Sequence, residues 1–385
     1  MPDRDAAVAR LIEAPQLQAL IDGLKDRGYA VLGPRRRGDA IGIDTLDRIE
    51  DLPRGCRTTQ APGRYRLEES PDAGTFEFTP GADSFKRWLH PPQQTEFRFR
   101  REGSGFVPIE SAPAPRPRHA FLGIRACEIA AIAVLDRVFL EGRYRDPGYS
   151  RRREGVFLVA VNCVSAGGSC FCTSTGTGPR VDRGFDLALT ELRDPAHRFL
   201  VEIGSDRGAE LAAQLPGGPA PADALAAAAA LVARCADAMP RRFDPARVAR
   251  RLRETPEHPR WAAIAERCLA CANCTIVCPT CFCTTTVDRT DLAGTTATRE
   301  RHWDSCFTLG FSHLHGGSVR TSTASRYRQW MTHKLSAWLE QFGTLGCVGC
   351  GRCVTWCPAG IDLAALAAAV DAEPDRGSGR NSHAP

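Results

Sequence analysis

The sequence predicts two architectures in tandem. An α/β (α+β) domain with a mixed sheet is expected over residues 1–240, an all-α cysteine-rich domain over 241–371, and a disordered tail over 372–385. Three observations support this. Short apolar runs alternate with stretches of helical period between His119 and Leu215, the rhythm of a sheet with helices on its faces. Beyond Pro259 the apolar positions recur at helical spacing. The closing residues are polar and rich in Gly and Ser, with little to bury.

The elements follow in order. Residues 6–28 predict a helix, with Leu11, Ile12, Leu17, Leu20, Ile21 and Leu24 at helical spacing and Gly28 as its stop. Thr75–Thr79 and Thr95–Arg100 are strand-like, and Ser111–Arg118, with three prolines, is a linker or extended loop. His119–Ile124, Val156–Val161 and Phe199–Ile203 are buried-type strands. Cys127–Leu140 and Asp206–Leu215 are helices. Asp223–Met239 is an Ala-rich helix with Asp223 as N-cap, in which Cys235 is a small buried hydrophobe. The Arg- and Pro-rich Pro240–Pro259 is the domain boundary. Ser325 caps a helix whose core face carries Tyr327, Trp330, Met331, Leu335, Trp338 and Phe342, with Gly343 past its end. Asp362 starts a last short helix.

With 385 residues, 43% hydrophobic and 25% charged, the chain has the composition of an ordinary globular protein. A net charge of +5 does not suggest nucleic acid. Only three of its cations are lysines, Lys25, Lys86 and Lys334. The seventeen cysteines follow a polar N-terminus without an apolar signal core, and no apolar run approaches membrane-spanning length. Thiols kept reduced in a cytoplasm as metal ligands fit both facts.

The cysteine pattern is specific. Cys268, Cys271, Cys274 and Cys278, followed by Pro279, have the C-x2-C-x2-C-x3-C-P spacing of bacterial ferredoxins, and Cys347, Cys350, Cys353 and Cys357, followed by Pro358, repeat it. That spacing holds a [4Fe–4S] cluster, with the fourth cysteine passing to the other cluster when two motifs are present. The expected sets are therefore Cys268, Cys271, Cys274 and Cys357 for one cluster, and Cys347, Cys350, Cys353 and Cys278 for the other. Zinc has no use for the third close cysteine or the proline. Gly346, Gly349 and Gly351 let the backbone approach a cluster and donate N–H groups to it. Arg267 and Arg352 beside the ligands either offset cluster charge or are solvated. The 68 residues between Cys278 and Cys347 are long for a compact β-type ferredoxin and contain a strong helix, so an alpha-helical ferredoxin domain fits better. Cys281, Cys283 and Cys306 lie between the motifs without a clear fourth partner.

A third group lies in the first half. Cys127 and Cys163 follow two predicted strands, and Cys170 and Cys172 sit in a Gly-rich loop. Ligands in open α/β sheets gather beyond the carboxyl ends of strands. If the two strands are parallel neighbours, these four thiols converge on a possible third [4Fe–4S] site. Zinc, unligated thiols or a phosphate cradle are the alternatives, although no Walker or G-x-G-x-x-G pattern is present.

CLACANCTIVCPTCFC at Cys268–Cys283, WDSCF at Trp303–Phe307, HGGSVR at His315–Arg320, SRYRQW at Ser325–Trp330 and CVGCGRCVTWCPAGID at Cys347–Asp362 resemble one family. So do FLGIRACEIAAI at Phe121–Ile132 and VNCVSAGGSCFC at Val161–Cys172. It is the beta (iron–sulfur) subunit of cytoplasmic NAD(P)-linked Ni–Fe hydrogenases, or sulfhydrogenases, to which the A subunit of anaerobic sulfite reductase is related. The resemblance spans about residues 1–370. It implies a subunit without a substrate pocket, carrying electrons between Ni–Fe hydrogenase small and large subunits and a flavin/NAD(P) subunit. Alternative readings are the same carrier in a sulfite reductase or other flavin-linked reductase, an enzyme in its own right, and a scaffold stabilised by its clusters.

Overall fold

The computed structural model describes residues 9–109 and 118–372. Within them an eight-stranded mixed sheet runs in the order Gly218–Pro219, Arg10–Glu13, Arg198–Ile203, Leu187–Leu192, Phe157–Val161, Arg118–Arg125, Tyr29–Arg37, Ala40–Thr45. The four strands from Leu187–Leu192 to Tyr29–Arg37 are parallel, and the edges are antiparallel. Both faces are covered, which is why Phe157–Val161 at the centre is apolar and buried throughout. Leu17, Leu20, Ile21 and Leu24 of the helix Leu17–Asp26 pack on one face with Leu122, Phe157 and Val159. Ile129, Ile132 and Leu135 of the helix Ala126–Phe139 pack on the other with Phe121, Leu158 and Ala160.

A bulge at Gly123 directs the chain toward the thiols. Leu122 pairs with Val159 and Ile124 with the very next residue, Ala160. The extra residue turns Ile124 to the face opposite Leu122. Gly123 has φ +81°, and a Cβ there would lie 2.9 Å from Pro34, so glycine is required.

A separate core is formed by Phe243, Val248, Leu252, Trp261, Phe307, Tyr327, Trp330 and Leu363, together with Phe171 from the first half. Cys268, Cys274, Cys353 and Cys357 pack against it. The N-terminal hairpin Cys56–Ala61/Arg64–Glu69 buttresses the last motif: Gly63 donates its N–H to Val354 (3.0 Å), and Tyr65 stacks on Trp356.

Several expectations need correction. The second half is not all-α, because Thr284–Thr290 and Thr296–Trp303 form a hairpin. The first strand is Thr-rich and β-branched, and the second, Thr296–Trp303, joins Gln93–Glu102 of the first half in a four-stranded sheet. The first helix is shorter than its period suggested. Arg10–Glu13 is a strand with Ile12 opposite Phe199, and Pro15 separates it from the helix. Thr75–Thr79 forms no strand. The N–H groups of Thr75 and Phe76 donate to Glu191, and the carbonyls of Phe76 and Phe78 accept from Arg125, so side chains replace a strand partner. Asp223 is one residue inside its helix, where it accepts from Ala224, while Pro221 takes the cap position. Ser322, not Ser325, caps the helix Thr323–Thr332 and accepts the N–H of Ser325. Pro240–Pro259 is no bare boundary: Asp244 caps the helix Pro245–Glu254, which buries Val248 and Leu252 in the second core. The linker residues 111–117, the opening residues 6–8 and the tail from 373 on lie outside the described residues, while Arg118 already begins a strand.

Candidate metal centre

The two motifs meet. A cavity is lined by Cys268, Cys271, Cys274 and Cys357, with Cys353 also in its wall. A second is lined by Cys278, Cys347, Cys350 and Cys353. Each therefore gathers three cysteines of one motif and the last cysteine of the other. The loops turn tightly enough to do this because Ala270, Ala272, Gly349 and Gly351 all have positive φ. Asn273 bonds the carbonyl of Trp356 and so ties the motifs together.

The thiols in the walls carry the ligand spacing of a [4Fe–4S] cluster and rim a space. Burial pushes Cys274 and Cys353 well up and Cys347 up to about 12. Such thiols ionise together only if a positive core replaces the lost water. The Gly349 N–H bonds the Cys347 sulfur, and the Ala270 N–H that of Cys268, as ligand loops require. Trp330 lies in the walls of both cavities, and its buried indole N–H has no acceptor among the described residues.

Two buried lysines escaped the sequence reading. Lys334 Nζ donates to Thr280 Oγ1 (2.8 Å) and to the Gly346 carbonyl (3.2 Å), while Thr280 Oγ1 is 3.2 Å from Cys278 Sγ. Burial disfavours its charge, but the sulfurs of Cys278, Cys281 and Cys347 outweigh that and hold it protonated. The hydrogen bond from Cys281, with the Lys334 charge, holds Cys278 below the usual thiol range. Lys86 lies 3.7 Å above the Trp303 ring and donates to the Cys281 carbonyl, and burial lowers it to about 8. The signal was present in an Arg-rich chain: two of its three lysines are buried beside thiols. Lys334 is placed by a wide π turn, His333–Ala337, within what the sequence showed as one uninterrupted helix.

The remaining predicted residues are distributed as follows. Cys127, Cys163, Cys170 and Cys172 share a cavity with Cys235, Gly349 and Cys350. Gly349 and Gly351 also serve a contact the sequence did not reveal. A Cβ at Gly349 would lie 2.6 Å from the backbone of Cys172, and one at Gly351 would lie 2.4 Å from the Ser169 carbonyl. Arg352 is buried and paired with Glu128 at 3.0 Å, whereas Arg267 binds the carbonyls of Ala359 and Gly360 near the surface. Cys281 bonds Cys278, and Cys283 and Cys306 interact with each other. His313 and His315 are exposed.

Residues 267–361 match the 4Fe-4S dicluster domain model. Sulfhydrogenase 2 subunit beta of Pyrococcus furiosus is 30% identical over 322 residues, covering 82% of this chain and 92% of that protein. No solved structure matches the chain. Two motifs folded against one another, and a likeness that runs through both halves of the molecule, lead to one conclusion: the chain belongs to the sulfhydrogenase beta-subunit family.

Proposed function

We propose that this chain is the iron–sulfur electron-transfer subunit of a hydrogenase complex, holding two [4Fe–4S] clusters by crossed ligation. Cys268, Cys271, Cys274 and Cys357 hold one, and Cys347, Cys350, Cys353 and Cys278 the other. The observation that carries this reading is the gathering of three thiols of one motif with the last thiol of the other around each cavity. A bound [4Fe–4S] cluster supplies one-electron chemistry without rearrangement of its ligands. The protein's own groups do the rest. The Gly349 N–H donates to the Cys347 sulfur, the Trp330 indole N–H is available to a cluster between the two cavities, Lys334 holds positive charge beside Cys278 and Cys347, and the aromatic core excludes water.

The first cavity faces a partner. Cys271 is exposed, and Leu269 beside it is 68% exposed. The second cavity is the inner one, with Cys347 and Cys278 both buried. We place the chain in the cytoplasm, between Ni–Fe hydrogenase subunits and a flavin/NAD(P) subunit. No helix among the described residues is long and apolar enough to cross a membrane.

Purification under anaerobic conditions by a tag on this chain tests the reading. The expected result is co-purification of nickel and flavin with the chain, and clusters reducible by H2 or NAD(P)H. A sirohaem-containing partner would move the chain to a sulfite reductase, and clusters that neither donor reduces would leave only a scaffold.

A further inference from the structure

We propose that Cys127, Cys163, Cys170 and Cys172 hold a third [4Fe–4S] cluster, adjoining the inner cavity of the dicluster region. The site lies outside the two-cluster relay and takes from it only its neighbour.

Four observations lead there. First, Arg118–Arg125 and Phe157–Val161 are parallel neighbours with Arg125 opposite Val161, so Cys127 and Cys163 leave the sheet side by side at its carboxyl end. Second, the loop carrying Cys170 and Cys172 is fixed over that end. Cys163 donates its N–H to Pro179 (3.2 Å), Cys170 to Gly167 (3.0 Å), and a Cβ at Gly168 would lie 2.2 Å from the Gln60 carbonyl. The four thiols line one cavity, as the four ligands of one cluster require.

Third, the cavity wall contains a buried cation without a counter-charge. Arg125 is 4% exposed. It donates to the carbonyls of Phe76 (2.7 Å) and Phe78 (3.1 Å), its Nη1 is 3.8 Å from Cys163 Sγ, and its Nε has no acceptor among the described residues. Among the described residues no carboxylate pairs with it. A thiolate-ligated cluster, anionic overall, supplies the missing charge.

Fourth, the cavities form a row. Cys353 lies in the walls of the first and second, and Cys350 in those of the second and third. Cys170 Sγ is 4.0 Å from the Cys350 carbonyl. A third cluster there extends the row from the exposed Cys271 into the first half of the molecule.

The test is iron and acid-labile sulfide per chain in the full-length protein purified anaerobically, with EPR of the dithionite-reduced protein. Wild type is expected to hold about twelve irons, and Cys163→Ala and Cys127→Ala about four fewer, with the EPR of the remaining pair retained. Cys235→Ala, in the same cavity wall, is expected to keep all the iron. Wild type with about eight irons, unchanged by Cys163→Ala, overturns the proposal and leaves the two-cluster reading intact. So does one zinc per chain that Cys163→Ala removes. Iron lost from Cys235→Ala but not from Cys127→Ala overturns the ligand set. The Cys274→Ala variant reports separately on the dicluster region. If Cys163→Ala does not fold, the wild-type spectrum decides: three interacting reduced centres support the site, and two overturn it.

Discussion

The carbonyl of Gly349 accepts the backbone N–H of Phe171 at 2.9 Å. This bond joins the loop of the last ferredoxin motif to the thiol-bearing loop of the first half, and Thr177 Oγ1 adds a second by donating to Val348 (2.8 Å). Gly349→Ala forces a Cβ to within 2.6 Å of the Cys172 backbone at φ +62°. Its expected cost is about 3 kcal/mol or more, with loss of iron. Gly343→Ala, at φ +67° in open space, is expected to cost about 1 kcal/mol and no iron. Denaturant unfolding and iron analysis of the two variants check this.

Arg352 and Glu128 form an ion pair with both side chains under 5% exposed. Arg352 Nε also donates to the carbonyls of Gly81 and Asp83. Arg352→Met leaves a buried carboxylate and is expected to cost about 3–5 kcal/mol. Removing both charges in Arg352→Met/Glu128→Leu is expected to restore part of that loss. A double-mutant cycle in denaturant measures it, and equal losses in the single and double variants would contradict it.

Lys334 places positive charge beside Cys278 and Cys347. A unit charge roughly 10 Å from a centre contributes about 1.7 kcal/mol at an effective dielectric near 20. For one electron that is roughly 70 mV. Lys334→Met is expected to lower the potential of one centre by about this amount and leave the surface-facing centre nearly unchanged. EPR-monitored redox titration resolves the two.

Glu191 is buried and accepts from Thr75 (2.5 Å), Phe76 (2.9 Å) and His197 Nε2 (2.6 Å). Burial raises its pKa, but the hydrogen bond from His197 and the two N–H donors outweigh that, so it ends below the ordinary carboxylate value. A depressed carboxylate stabilises the fold fully above its unfolded pKa of about 4.3, and the contribution disappears as pH falls through the folded value. Unfolding free energies of wild type and Glu191→Gln are expected to differ most near neutral pH and to converge under acid. A gap that is constant with pH would contradict this.

The motifs that carry chemistry were legible because ligand spacing is a local property. Helix periods and the caps at Asp362 and Gly343 were local in the same way. What the sequence concealed depends on distant partners. Thr75–Thr79 has strand composition, but its backbone groups go to Glu191 and Arg125. The π turn that buries Lys334 leaves the apolar period nearly intact. Cys235 reads correctly as a small buried residue, but nothing local shows that its helix lies beside the Cys170 loop. The run TTTVDRT has clear β composition, but the strong helix that follows it between the motifs predicts an all-α domain.

That overlooked hairpin has a consequence for modularity. Its strand Thr296–Trp303 is zipped along Gln93–Glu102, a segment nearly two hundred positions upstream. Severing the polypeptide ahead of residue 241 would strip that partner away and leave an unsatisfied row of amides and carbonyls ready to recruit another molecule. The cysteine-bearing half is thus no detachable cassette, and any transplant of it into a foreign assembly has to bring the upstream ribbon along.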